Sequence, residues 1–471
     1  RFAGSNFEHA MVATNARRTS REREGSNFIP AVGNFSVQYN FTSASAAASF
    51  LNDAGYLGHS LFEEPKWSKD LTPAAVFVGA MLGMLWMGRL GDTLGRTRAL
   101  QVTLSLTVLG ALIPACAAGG SAAVYGTVLF GRFVLGLGVG GIYPLSAVSS
   151  AEGCHESSAK GKHVAQAFFF QTVGQVAPYL VAMLLLALFQ PTIPSEWVPQ
   201  LQFRLLFALG AVPAFVVLLA SFQSEDSEEF RSQHHSNTGT FDRAVLKTLM
   251  GTAGSWCLYD LAFYGTTIFT PTILLQMCLT GEVRPDGTCY QTLAQTSRQS
   301  ALISAMGIPG CYGAVLLAER MGCKRLNSYG FLLLSAAFAG LAITWMVVPE
   351  AHILQFVLFC ILTLLLNFGP SLGTYVLPAL CFPTTIRSTC HGLSSTGGKI
   401  GAVIGTLIFE PISESPLGVP GVLWLQCIIC VLGAAVSTAY LKHDWEYESV
   451  DGRSFRNQPG SFEAAWPVLI D

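Results

Sequence analysis

Asp260 stands within a segment that is otherwise apolar and aromatic, Trp256-Cys-Leu-Tyr-Asp260-Leu-Ala-Phe-Tyr264. Trp256, Asp260 and Tyr264 recur at i, i+4 and i+8, so a helix stacks an indole, a carboxylate and a phenol along one face. Lys399 supplies the opposite charge, preceded by Gly397 and Gly398 in a stretch that is otherwise apolar as far as Phe409. Other polar groups are embedded in the same way: Tyr143 beside Pro144, Gln171 and Gln175 four residues apart, and Asn367 ahead of the break Asn367-Phe-Gly-Pro370. A carboxylate at the centre of a bilayer costs about 2.5–3.5 kcal/mol on insertion scales, so such groups are expected to face a protein interior and to serve a purpose. A shared polar chamber that binds a small polar or charged solute is the economical explanation. A purely structural ion pair with a basic residue is the alternative reading of Asp260. No loop carries a nucleophile–base pair or a metal cluster, so the sequence predicts no enzyme, no cofactor and no bound metal.

The elements that must hold these residues follow from composition. Of 471 residues, 51% are hydrophobic and 12% charged, and the mean hydropathy is +0.46. Soluble domains carry roughly 25% charged residues, so a surface facing water throughout is excluded and lipid is an expected partner. A formal net charge of −2 offers no basic surface for nucleic acid. A membrane span needs about 20 mostly apolar residues. Candidates lie near 28–51, 73–93, 97–118, 122–151, 163–189 and 201–222, and near 246–276, 298–319, 326–347, 352–381, 384–410 and 417–441. The first is crowded by Asn34, Ser36, Gln38, Asn40, Thr42, Ser43 and Ser45, and an interfacial segment is its alternative reading. The predicted fold class is an all-α membrane protein of twelve transmembrane helices in two six-helix, pseudo-symmetric bundles.

Charge placement supports the even count. Arg89, Arg96 and Arg98, Lys160 and Lys162, Arg320, Lys324 and Arg325, and Arg387 fall in loops of one side. The opposite loops are nearly bare except for Lys66, Lys69 and Arg284. This asymmetry predicts both termini in the cytoplasm, with the plasma membrane as the expected location. The polar stretch Gln223 to Asp242 reads as a flexible cytoplasmic linker, and its His234-His235 pair as exposed polar residues. The expected organisation is a cytoplasmic segment over 1–27, bundles over 28–222 and 246–441 with the linker at 223–245 between them, and a cytoplasmic tail over 442–471. Cys278 and Cys289 share a polar loop on the outer side, where a disulfide is plausible. Cys116, Cys257, Cys311 and Cys360 read as small buried residues.

Two further motifs organise the chain. Gly88-Arg-Leu-Gly-Asp92-Thr-Leu-Gly95-Arg96 lies between spans two and three. Its glycines allow a tight turn, while Asp92 is placed to meet the N-terminus of a neighbouring helix and to pair with an arginine. Glu319-Arg-Met-Gly322-Cys-Lys324-Arg325 is a weaker copy in the second half, which predicts an internal repeat. Gly136-Leu-Gly138-Val-Gly140-Gly141-Ile142-Tyr143-Pro144 in span four resembles a phosphate-cradling loop only superficially, because no strand precedes it; close helix packing is the better reading.

The loop motif matches the signature of the major facilitator superfamily. Gly141-Ile-Tyr143-Pro-Leu-Ser, Gln171-Thr-Val-Gly-Gln175, the span-seven segment, Asn367-Phe-Gly-Pro and Phe382-Pro-Thr-Thr-Ile-Arg387-Ser-Thr-Cys-His-Gly392 resemble its phosphate:proton symporter family over spans two to twelve. The resemblance implies the major facilitator fold and transport of inorganic phosphate by alternating access, with a proton as the coupled ion. It implies binding by Tyr143, Gln171, Trp256, Asp260, Tyr264 and Asn367, with Lys399 close by, and a cytoplasmic gate at Gly88, Asp92, Gly95 and Arg96. Indole, phenol and amide donors suit phosphate oxygens, and an ionised carboxylate only accepts, which favours an oxyanion that still bears a proton over sulfate. The chain departs from the family at two points: Ile142 replaces an aspartate, and Val37, Gln38 and Asn40 leave span one without an acid. Asp260 is then the intramembrane group left to carry a proton. An organic phosphate or other small organic anion as cargo, sodium coupling or uniport, and a sensor that binds phosphate without moving it are the alternatives.

Overall fold

A computed structural model describes residues 27–47, 49–51, 62–154, 160–189, 196–233, 241–267, 270, 273–274, 282–283 and 289–442. Twelve long helices order the described residues. They are α1 (27–47), α2 (Lys66–Thr93), α3 (Arg96–Ala115), α4 (Ser121–Glu152), α5 (Lys160–Leu188) and α6 (Trp197–Ser221), followed by α7 (Arg243–Thr267), α8 (Leu293–Met321), α9 (Cys323–Val347), α10 (His352–Cys381), α11 (Arg387–Glu414) and α12 (Gly418–Tyr440). Nine of them are long and apolar enough to cross a membrane by composition alone. The three that fall short, α1, α7 and α11, carry the polar residues singled out above. The expected terminal segments, His234, His235 and Cys278 lie outside the described residues, apart from the terminal positions 27 and 442. Cys289 is disulfide-bonded; it lies in a two-residue strand β2 (Cys289–Tyr290) paired antiparallel with β1 (Glu282–Val283).

Segment one is a helix despite its polarity, because its polar groups find partners inside the bundle. Asn34 and Asn40 are buried; Asn34 Nδ2 donates to Pro30 O at 2.9 Å and Tyr375 Oη at 3.0 Å, and Asn40 Nδ2 to Ser36 O at 2.9 Å and Gly210 O at 3.0 Å. In a lipid phase each unsatisfied group would cost several kcal/mol, so these contacts fix which face of α1 turns inward.

Packing of α4 on α2 depends on missing side chains. A Cβ on Gly136 would fall on the carbonyl oxygen of Val76, and one on Gly140 on that of Ala80. Small residues at this interface let the two backbones touch. Several helices are broken: α6 at Gly210, α8 at Met306–Gly307, and α10 at Asn367–Gly369, where Gly369 takes φ 44° and Pro370 restarts the helix at its first turn. Proline is tolerated there because its missing N–H would be unpaired anyway.

The internal repeat is visible in the turns. Gly95 (φ 99°) precedes α3 and Gly322 (φ 82°) precedes α9, so each half uses a left-handed glycine, which pays no Cβ penalty, at the same point of its repeat. The cysteine expectation is corrected in part: Cys311 is buried, Cys257 and Cys360 are half-buried, and Cys116, capping α3, is exposed because the helix ends there.

Candidate functional site

α7 and α11 run side by side, and α11 is smooth where it meets α7. A Cβ on Gly398 would overlap the Trp256 indole, and one on Gly401 the backbone of Cys257. This approach brings Lys399 onto Asp260: Nζ lies 2.8 Å from Oδ2, and it also donates to Tyr264 Oη at 3.1 Å. Both charged side chains are almost wholly buried, Lys399 to 1% and Asp260 to 4% side-chain exposure. Trp256, one turn before Asp260, lines the same space with its indole.

The first half supplies the facing wall. Gln171 Nε2 in α5 donates to Tyr143 Oη and to Gln38 Oε1, each at 3.3 Å, while Gln171 Oε1 is buried with no partner. Tyr143 lies under the ammonium, with its ring centroid 5.1 Å from Lys399 Nζ. Tyr143, Gln171, Trp256, Asp260, Tyr264, Asn367 and Lys399 all line one chamber, so every predicted binding residue is brought together. Asn367 arrives through the α10 break, and its Nδ2 donates to Thr363 O at 3.0 Å. Free space in the chamber is about 20 Å³, enough for roughly one water molecule.

Sequence reasoning missed several chamber residues. Gln38 stands out in the sequence only as one of the uncharged polar residues of the first span, yet it lines the space, as do Ser371 and Thr172. Behind the chamber wall, Tyr375 and His391 back the Trp256 indole: His391 meets Trp256 and Tyr375 edge-on at 5.6 and 5.5 Å between centroids. The Phe382-to-Gly392 motif contained His391, but nothing in its spacing placed it beneath Trp256. Above the ammonium, Phe41, Phe77 and Tyr264 form a roof, with Phe77 and Tyr264 centroids 4.9 Å apart. Beyond this roof lies a second cavity of about 370 Å³, walled by the starts of α2, α4 and α8 and the end of α7.

The opposite end, where α2 turns into α3, is closed by charge. Asp92 accepts from the backbone N–H groups of Ser388 and Thr389 at 3.2 and 2.7 Å, from Thr389 Oγ1 at 2.6 Å and from Arg96 Nη1 at 2.6 Å. The expected pairing with a helix N-terminus and an arginine is therefore what the structure shows, and the helix is α11. Gly88 packs against the Ser388 carbonyl, leaving no room for a Cβ, and Gly95 makes the turn.

Arg96 also binds Glu152 at the end of α4, with Nη2 to Oε1 at 2.8 Å, and Thr384 O at 2.9 Å. Arg387 joins Glu152 at 3.5 Å and Glu229 at 2.8 Å. Glu152 and Glu229 were not anticipated, and Glu229 corrects the expectation of a slack linker. A short helix, Glu228–Gln233, is docked here: Glu229 accepts from Thr384 Oγ1 and pairs with Lys160 at 2.8 Å, while Arg96 lies 4.3 Å over the Phe230 ring. Burial pushes the Glu229 carboxyl up, but Arg387 and Lys160 outweigh it and hold the group at about 2. The repeat copy is weaker in structure too, since Glu319 and Lys162 pair at 2.9 Å at the surface, 55% and 40% exposed, where such pairs contribute little.

A buried acid–base pair of one half facing polar groups of the other, latched at one end and separated from a larger cavity at the other by an aromatic roof, is the arrangement of a carrier. Solved structures with this fold are major facilitator transporters. The proton:xylose symporter XylE matches 90% of this chain and 97% of its own at a TM-score of 0.76, with 14% identity. In sequence, the profile of the "Sugar (and other) transporter" family matches residues 26–256 and 286–441. The chain belongs to this family of integral, multi-pass membrane transporters. Among its relatives, inorganic phosphate transporter PT2 of Toxoplasma gondii is 32% identical over 409 residues, covering 84% of this chain and 68% of the relative. Inorganic phosphate transporter 1-6 of rice, Oryza sativa subsp. japonica, is 30% identical over 391 residues, covering 72% of each.

Proposed function

We propose that the chain carries inorganic phosphate across a membrane with a proton, and that this structure is the state open away from the Asp92 end. The observation that carries the reading is the Lys399–Asp260 pair at 2.8 Å inside a chamber shared with Tyr143 and Gln171 of the other half. A buried pair is stable only while both charges are matched. Phosphate draws Lys399 toward its own oxygens, and Tyr143, Gln171, Trp256 and Asn367 supply neutral donors around it. Asp260, left without its cation in a dry site, takes up a proton, which ties one proton to each turnover. The small chamber favours a compact inorganic anion over an organic phosphate. The names of the phosphate-transporting relatives support the same cargo.

The lysines and arginines clustered at the Asp92 end support a cytoplasmic position for that end and for both termini, and the plasma membrane is the proposed location. The bundles over 28–222 and 246–441 then rock about the chamber, with the Asp92, Arg96, Glu152 and Arg387 contacts as the inner gate. Uptake of labelled phosphate into proteoliposomes tests this. Accumulation should rise with an inward proton gradient and fall at least a hundredfold, per correctly folded carrier, in Asp260→Asn. Equal rates with and without the gradient would remove the proton from the mechanism, and binding without accumulation would make the protein a sensor.

A further inference from the structure

The outer cavity contains a charge that the chamber mechanism does not use. Arg132, on α4, forms part of its wall and is 2% exposed. Its Nη1 donates to the backbone carbonyl of Asn40 at 2.6 Å, and its Nε–H has no partner. No carboxylate pairs with it among the described residues. Asn40, on α1, meets it through that backbone carbonyl, while its side-chain Nδ2 donates to Ser36 O and Gly210 O. Among the described residues, the other charged residue of the wall is Glu64, which is exposed and accepts a hydrogen bond from Ser68 Oγ at 3.1 Å. Thr72, on the same wall, also buries a hydroxyl with no partner.

A guanidinium taken out of water without a counter-charge is costly. It is also the side chain whose fork of N–H donors best fits a tetrahedral oxyanion. At about 370 Å³ the cavity lies in the ordinary size range of ligand pockets. We propose that Arg132 anchors a second, outer oxyanion site in this cavity, where the anion is held before it passes the Phe41–Phe77–Tyr264 roof to Lys399. That the occupant is phosphate in the working carrier rests on the function proposed above; that the site binds an oxyanion does not.

The two sites differ in chemistry. An anion reaching the inner site meets Asp260 while it is still ionised, so one that brings its own proton can donate to the carboxylate as it draws Lys399 away, and sulfate cannot. The outer one presents donors, so it takes sulfate as readily as phosphate. Sulfate is therefore expected to occupy the antechamber without being carried, and to inhibit phosphate uptake competitively.

The test is equilibrium binding of labelled sulfate and labelled phosphate to the purified full chain, in chloride-free buffer and in lipid-free detergent. Lipid-free detergent removes headgroup phosphates as occupants, and adding back phosphatidylcholine reports whether they compete. The wild-type chain should bind one sulfate and two phosphates. Arg132→Gln should weaken sulfate binding at least tenfold and leave one phosphate site, whereas the charge-neutral double variant Asp260→Asn/Lys399→Met should leave sulfate binding within twofold. Should Arg132→Gln fail to elute as a monodisperse species, Arg132→Lys and Thr72→Val carry the test, each weakening sulfate three- to tenfold. Unchanged sulfate affinity in these variants, or no saturable sulfate binding by the wild type, overturns the proposal. Sulfate bound through Arg132 in a chain that does not accumulate phosphate would leave the outer site standing and overturn the transport reading instead.

Discussion

Lys399 and Asp260 are each costly alone and tolerable together, and that asymmetry makes the chamber responsive to a charged cargo. Removing one partner of such a pair costs about 3–5 kcal/mol, whereas replacing both with neutral residues of similar volume is near neutral. Lys399→Met should therefore lower thermal stability strongly, while the double variant Asp260→Asn/Lys399→Met should recover most of it and transport nothing. A double variant as unstable as the single one would show that the pair is not the reason for the loss. Gly398→Ala makes a separate point, because its methyl meets the Trp256 ring. It should reduce phosphate uptake at least tenfold by displacing the indole, and unchanged uptake would remove Trp256 from the binding wall. At this scale the sequence was informative where residue type conflicts with lipid: Asp260, Lys399 and Asn367 stand out in apolar segments. Gln38, Tyr375 and His391 did not, because amides and aromatics are common in such helices and only three-dimensional packing shows that Gln38 lines the chamber and that the other two back Trp256.

Between the halves, the element that matters is the short helix Glu228–Gln233. Its sequence, rich in acids and far from any apolar run, gave no sign that it docks; the fixing partners Arg387, Thr384 and Lys160 come from distant parts of the chain. The Glu229 carboxyl lies at about 2, below the ordinary value of 4.5. A lowered value means that its contribution to the closed end is complete above pH 4.5 and is lost as the pH falls toward 2. Glu229→Gln should therefore weaken the closure about tenfold, the equivalent of 1.4 kcal/mol, by the same factor at about pH 6 and about pH 8. Its pH–uptake profile should keep the wild-type shape, leaving any slope in that range to the chamber. A profile flattened by Glu229→Gln would place the titrating group at the gate.

The twelve-helix architecture was legible because lipid imposes length and polarity on every span, and because the Asp92 motif and its Gly322 copy mark the repeat. What composition could not supply was the state: which end is shut depends on contacts between residues hundreds of positions apart. In a background cleared of reactive native cysteines, Thr267→Cys on the outer cavity should react with a water-soluble maleimide at least ten times faster than Ser388→Cys beneath Asp92. The reverse order would mean that the protein rests in the opposite state.

Thr389, whose N–H and hydroxyl hold Asp92, and Lys399, which holds Asp260, belong to the same helix. Ten residues of α-helix span about 15 Å, and this stretch has no proline to bend it. One helix thus joins the two sites without a relay of side chains, so a shift of α11 that follows the ammonium also moves the latch, and loading and unlocking become one event felt at two ends of a single rod.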